Sequence, residues 1–181
     1  MKIVDIDWFY EKYYSNNPEL QRIVYRHSQL VAKKALEICK IKMLPLDENE
    51  VFSAAMLHDI GVVNCKAPSI HAHGQLPYLC HGLEGKKMLE SQELFVLANV
   101  CLTHTGAGLT SQDIIKNNLP LPPINMIPKT LLEKLICYSD KFYSKSHDLE
   151  KEKYLNDIII QMNKFGSGSL ERFLEMHSLF G

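Results

Sequence analysis

The sequence predicts an all-α fold, on three observations. Almost every long segment repeats its apolar residues at three- and four-residue spacing, the pattern of an amphipathic helix. No segment sustains period-two alternation with β-branched enrichment, as a half-buried strand would. The breakers Pro45, the His-, Pro- and Gly-rich stretch 62–77, "LPLPPINMIP" at 119–128 and "GSGS" at 166–169 punctuate those helical runs. One domain spanning 1–181 is expected, a bundle of about seven to eight helices with its core at about 20–145 and C-terminal helices at 148–179 packed on it.

The elements follow in order. Pro18 opens a helix in its first turn, and the stripe Leu20, Ile23, Val24, Leu30, Val31, Ala35, Ile38 carries it to about residue 42. Pro45 ends that pattern. Asp47 followed by Glu50 resembles a capping box with Asp in place of Ser or Thr, and starts a helix that reaches His58 and stops at Gly61. After the loop at 62–77, helices are expected at about 78–90, 92–104, 111–117, 129–144, 148–164 and 169–179. Neither irregular connection is long enough to divide the chain, and no internal repeat is visible.

Bulk composition narrows the function classes. The 181 residues are 46% hydrophobic, and 20 basic residues face 21 acidic ones for a net charge of -1, scattered without long blocks. No electrostatic footprint for a nucleic acid polymer results. Five cysteines, at 39, 65, 80, 101 and 137, form no C-x-x-C pair, which suits reduced thiols packed in a core. The start "MKIVDIDWFY" places acidic residues where a signal peptide needs a clean apolar run. No stretch approaches the roughly 18 apolar residues of a membrane span. A cytoplasmic protein without membrane contact is expected.

Against that background "AAMLHDIG", residues 54–61, is anomalous. His58 and Asp59 end a run of small and apolar residues, and both fall on its inward face, three or four residues after Ala54 and Ala55. A buried carboxylate is costly unless a cation or donors compensate it, and a helix C-terminus repels it further. A second His-Asp pair, His147-Asp148, stands in the polar stretch "SKSHDLEKEK", where Asp148 is expected to cap a helix. His27 sits on the stripe with Ile23, Val24, Leu30 and Val31, and Asp140 on one with Ile136, Cys137 and Tyr143. His81, early in its helix, and His104, at the end of "ELFVLANVCLTH", complete the set. Each alone could be a satisfied core residue. Together, four inward His and two inward Asp on five helices bury two negative charges without an opposed Arg or Lys on those faces. Divalent cations are the economical solution. Imidazole and carboxylate without thiolate suit iron, manganese or zinc. Six ligands favour two ions, with Asp59 as the bridge.

The order His27, His58-Asp59, His81, His104, Asp140 resembles the HD-domain superfamily of metal-dependent phosphohydrolases in its six-ligand, two-metal version. "MLHDIG" resembles the family's HDIG segment and "HGLEG" its second-shell helix start. "THTGAGLTSQDI" and "PKTLLEKLICYSDKF" are similar to a subgroup of small stand-alone HD proteins from bacteria and archaea. The resemblance covers about 20–145 and implies an HD-type helical bundle. It also implies hydrolysis of a phosphate ester or anhydride, often of a nucleotide, by a hydroxide shared between two ions. The six-ligand spacing is also similar to that of symmetrical dinucleoside tetraphosphate hydrolases. Val62 and Val63 stand where HD proteins of the cyclic-di-nucleotide type carry Lys, and the GYP signature is absent, which argues against that class.

In this reading Asp59 and Lys141 are the candidate catalytic residues, Lys141 being either a phosphate contact or a solvated lysine. Thr105, His71 and His73 are candidate substrate contacts, Gly106 and Gly108 form a turn, and Arg26 points off the stripe and away from the site. The expected partner is a small phosphorylated molecule, and a homodimer is allowed. A second reading is a mixed-valent di-iron oxygenase similar to inositol oxygenase, with the same ligand order; a clamp of Lys or Ser groups suited to a polyol would favour it. A third is a ligand-binding or regulatory module that keeps the metals without turnover.

Overall fold

In the computed structural model, residues 4–146 and 148–181 are described; His147, half of the second His-Asp pair, lies outside them. Nine α-helices occur among the described residues, with a three-stranded sheet of two or three residues per strand. The first helix, α1 (Ile6–Tyr14), was not expected. Asp5 caps it by accepting from Trp8 N at 3.0 Å, and it buries Ile6, Phe9, Tyr10 and Tyr14. Its role is visible at the far end of α3: Tyr10 Oη donates to Met56 O at 2.8 Å and Tyr14 Oη to Ile60 O at 3.0 Å. Those carbonyls would otherwise be orphans where the helix ends.

The long helix α2 (Pro18–Lys42) begins as expected, with Pro18 in the first turn and Asn17 accepting from Leu20 N, and stops at left-handed Met43. Next, α3 (Glu48–Leu57) is capped by Asp47, whose carboxylate accepts from Glu50 N at 2.9 Å. The stretch expected to be a plain loop at 62–77 is more ordered than that. A 3-10 turn (Ile60–Asn64) leads into β1 (Cys65–Ala67), which pairs antiparallel with β2 (Ala72–His73) and parallel with β3 (Leu76–Pro77). Strands this short leave no room for alternation, so no period-two signal exists to read.

The rest is helical: α4 (His81–Glu90), α5 (Phe95–Thr103), α6 (Ser111–Lys116), α7 (Leu131–Asp140), α8 (Leu155–Lys164) and α9 (Ser167–Phe180). Helices α4 and α5 pack together, α2 lies against α3 and α7, and α9 closes on α7, where Tyr138 stacks on Phe173 at 5.6 Å and donates to or accepts from His177 Nδ1 at 2.9 Å. Two expected helices, 129–144 and 148–164, are shorter, as Leu131–Asp140 and Leu155–Lys164. The described residues between α7 and α8, 141–146 and 148–154, are irregular, and Asp148 caps no helix; its Oδ1 accepts from Glu150 N in a local turn. Two ion pairs draw this segment onto α2, Arg26 with Glu150 and Lys34 with Glu152, both at 2.5 Å. All five cysteines are buried and free, and no helix of the described residues is long and apolar enough to cross a membrane.

Candidate metal centre

Five helices deliver the six predicted ligands to one point. His27 comes from the middle of α2, His58 and Asp59 from the end of α3, His81 from the first residue of α4, His104 from the end of α5 and Asp140 from the end of α7. Glycines make the approach possible. A Cβ on Gly61 would stand 2.2 Å from His81 O and 2.3 Å from Gly85 N, and one on Gly82 would stand 2.5 Å from Cys101 O. The "HDIG" and "HGLEG" glycines therefore let α4 lie against the turn after Asp59 and against α5, which puts His81 beside the carboxylate.

Asp59 is fully buried and its backbone (φ -105°, ψ 10°) lies in the sparsely used region between helix and strand. Its two oxygens face different partners. Oδ2 lies 3.1 Å from His58 Nε2 and 3.4 Å from His27 Nε2, while Oδ1 lies 3.4 Å from His104 Nε2 and 3.5 Å from His81 Nε2. Asp140 Oδ1 joins the first group, 2.9 Å from His27 Nε2 and 3.4 Å from His58 Nε2. The donors thus form two sets, His27, His58, Asp59, Asp140 and Asp59, His81, His104, with Asp59 common to both.

Three of the imidazoles are held the same way. Nδ1–H of His58, His81 and His104 donates to the carbonyl three residues back, Ala55 at 2.6 Å, Tyr78 at 2.7 Å and Cys101 at 2.8 Å. A carbonyl only accepts, so these bonds fix the tautomer and turn the Nε2 lone pairs inward. His27 Nδ1, His58 Nε2 and Asp59 Oδ1 are buried without a hydrogen-bond partner among the described residues.

The residues fit a metal. His81 Nε2 and His104 Nε2 stand 3.0 Å apart, and with both Nδ1 atoms protonated that contact brings two lone pairs together. It is unfavourable without a cation between them. An ion held by both nitrogens would relieve that repulsion. Burial, and His104 next, lowers the pKa of His81 to about 3, and burial lowers that of His104 as well; both are neutral and able to ligate. Burial likewise takes His27 down to about 4. His58 goes the other way: burial opposes its charge, but Asp59 and Asp140 raise it to about 9. Burial also works against both carboxylates, yet His58 and Lys145 hold Asp59, and Lys141 and His27 hold Asp140, well below the usual carboxylate range.

Lys145 was not anticipated. It comes from the irregular segment after α7, donates to Asp59 Oδ2 and lies 3.2 Å from His27 Nε2, so an ammonium stands where the first ligand set calls for positive charge. Lying beyond the helix, it had no periodic signal to mark it. Lys141 is buried, donating to Asp140 Oδ2 at 2.6 Å and to His104 O at 2.9 Å; it is not a solvated lysine. Two cavities of about 470 and 440 Å³ open beside the cluster and share Tyr78, Asp140, Lys141, Lys145 and Gln161. Thr105 lines the first, next to His81 and His104. Gly106 and Gly108, at φ 61° and 83°, form the expected turn there, and Arg172 of α9 ties it down through Ala107 O and Gly108 O at 3.0 Å. His71 and His73 line neither cavity. His71 pairs with Glu19 at 2.9 Å and His73 is exposed in β2, because the small sheet turns that stretch outward. Arg26, as expected, stays out of the cluster.

The tRNA (cytidine(56)-2'-O)-methyltransferases of Picrophilus torridus and Thermoplasma volcanium are 26% and 25% identical over 151 and 155 residues. The alignments cover 78% and 84% of this chain but 40% and 41% of theirs; the chain spans about two fifths of the length of these curated relatives. An uncharacterised protein of Methanocaldococcus jannaschii is 29% identical over 145 residues, covering 78% of this chain and 76% of its own. No solved structure matches. The HD domain profile matches residues 24–144, the span holding all six clustered ligands, and the chain belongs to the HD domain family.

Proposed function

We propose that this chain is a metal-dependent phosphohydrolase that cleaves a phosphate ester or anhydride of a nucleotide or another small phosphorylated metabolite, with two divalent ions sharing Asp59. The observation that carries this reading is the division of Asp59 between two donor sets, Oδ2 toward His27 and His58 and Oδ1 toward His81 and His104. Nitrogen and oxygen donors without thiolate support iron, manganese or zinc as the ions. When bound, such ions supply Lewis acidity, making water acidic enough to lose a proton near neutral pH and offsetting charge on phosphoryl oxygens.

The chain's own residues set the geometry. The three Nδ1–H bonds to backbone carbonyls fix imidazole orientation before substrate arrives, so little reorganisation remains at the reacting centre. Lys141 positions Asp140 and the carbonyl of His104, and its charge borders both cavities. Tyr78, stacked on His81 at 4.8 Å, covers one side of the cluster. The first cavity has apolar walls from Leu79, Leu109, Leu119, Met162 and Phe165 beside the polar Thr105; in this reading it takes the organic part of the substrate.

The oxygenase reading is supported by one observation, since lysines and serines do line the second cavity. Charge balance favours the hydrolase. Asp140 and Asp59 match Lys141 and Lys145, and Lys153 adds a further positive charge to the same cavity, which suits an anion and not a neutral polyol. The methyltransferase name describes chains of which this one matches two fifths, and the divalent-ion donor sets do not support methyl transfer. Metal analysis with phosphate release from a nucleotide panel under Mn(II) and Fe(II) tests the proposal. Asp59→Ala, with helicity retained, is expected to lose roughly a thousandfold in turnover together with its metal. Unchanged turnover in that variant, or oxygen consumption with Fe(II) in place of phosphate release, overturns it.

A further inference from the structure

The second cavity holds a lysine whose ammonium has no direct partner among the described residues. Its lining lysines differ in what they touch. Lys141 is engaged by Asp140 and His104 O, and Lys145 by Asp59 and His27. Lys153 also lines the cavity and is only partly exposed, yet among the described residues its ammonium has neither a hydrogen-bond nor an ion-pair partner. Its backbone is fixed, with N–H donating to Phe142 O at 2.8 Å. The acidic neighbours in sequence are occupied elsewhere: Glu150 pairs with Arg26, and Glu152 with Lys34 and Tyr143 Oη. A partly exposed ammonium with no protein partner is left to solvent and is free to pair with an anion that enters the cavity.

We propose that Lys153 and the hydroxyls of Ser144 and Ser146 form a phosphoryl-binding pocket beside the metal centre, which makes Lys153 a specificity-determining residue for the anion of the substrate. The inference rests on the phosphohydrolase reading for its substrate, though not for its geometry. Ser144 and Ser146 line the same cavity, and their hydroxyl oxygens lie 3.4 Å apart. A phosphoryl group suits this setting because its oxygens accept from ammonium and hydroxyl together, with charge-assisted strength. A neutral group would leave Lys153 without a direct partner, since Asp140 is taken by Lys141 and Asp59 by Lys145. Burial above all, with Lys141 and Lys145, lowers the pKa of Lys153 against the opposing pull of Asp140.

The test uses the full chain loaded with Mn(II), with inorganic phosphate and pyrophosphate as probes, in Lys153→Met and Lys153→Arg variants of unchanged helicity. Lys153→Met should weaken phosphate binding by calorimetry about tenfold or more, the loss of one charge-assisted bond. Lys153→Arg should stay within about threefold of wild type, since its charge can still pair with the anion. In substrate kinetics the Met variant should raise KM while kcat holds within about threefold. Trace acetylation read by peptide mass spectrometry adds a measurement free of turnover. Phosphate should slow modification of Lys153 and leave that of the exposed Lys66 unchanged. If phosphate affinity in Lys153→Met and the labelling of Lys153 are both unmoved, the pocket is wrong. If both respond but no phosphorylated compound is turned over, the pocket stands and the hydrolase reading falls.

Discussion

The floor of the centre and its rim are built by opposite means. The floor is carried on five helices; its six side chains are buried, and three of its imidazoles are locked by backbone carbonyls. The rim is made from the short sheet, the turn at Gly106 and Gly108 and the irregular residues 141–146 and 148–154. Surface ion pairs fasten it, among them Arg26–Glu150, whose side chains are 43% and 59% exposed. Packing fixes the reacting geometry, whereas contacts worth about 0–1 kcal/mol each hold the groups that meet the rest of the substrate. Such a division lets recognition vary while the chemistry stays fixed.

The largest expected effect comes from emptying the floor. Chelation should abolish turnover by roughly a thousandfold or more, because no other group on the chain replaces the Lewis acid. It should also destabilise the fold. An ion present at 100 times its Kd contributes about 2.7 kcal/mol, so the melting temperature should fall by roughly 5–10 °C in a chain of this length. Rim variants should melt near wild type with or without chelator. If chelation leaves the melting temperature unmoved while metal analysis records its loss, the buried donors are satisfied by protein alone and the contrast between floor and rim fails.

Gly61→Ala probes how the floor is assembled. The added methyl would meet backbone atoms of α4 at 2.2 and 2.3 Å, and backbone cannot swing aside as a side chain does. A shift of α4 would carry His81 away from Asp59 Oδ1. A cost of about 3 kcal/mol is expected, with turnover down about a hundredfold and one of the two donor sets weakened. Metal stoichiometry by mass spectrometry separates this from simple unfolding: one ion retained supports the two-set arrangement, and two retained with normal turnover would mean that α4 has room to give.

The floor was legible in the sequence because helices announce which residues face inward. His27, His58, Asp59, His81, His104 and Asp140 all carried the same oddity, a polar group on an apolar stripe, and the structure brings all six together. The rim carried no such code. Lys145 and Lys153 lie outside the helices, where spacing says nothing about direction; Lys145 falls between two expected helices, and Lys153 belongs to a stretch that reads as helix from 148 but is drawn onto α2 by ion pairs between residues more than 100 positions apart. His71 and His73 looked suggestive because histidines near Gly and Pro resemble a loop site, and strand pairing of two or three residues turned them away. The missing α1 had a signal, Asp5 before Ile6, Phe9, Tyr10 and Tyr14 at helical spacing; the acidic residues among its apolar positions concealed it. The tyrosine contacts to the end of α3 are long-range and could come only from the fold.

Arg26→Ala sharpens the comparison with the smallest effect. This arginine neighbours His27 in sequence but faces out, and it holds the rim segment through a two-pronged pair with Glu150 at 2.5 and 2.6 Å. Its removal should leave the melting temperature close to that of wild type, as expected for an exposed pair. With the segment bearing Lys145 and Lys153 less firmly held, KM should rise about two- to fivefold while kcat stays within about twofold. The effect should shrink in high salt, since wild type loses the same pair to screening. Should Arg26→Ala instead lower kcat as far as a ligand variant does, the rim would be supporting the geometry of the metal donors themselves, and the separation between chemistry on the helices and recognition on the loops would not hold.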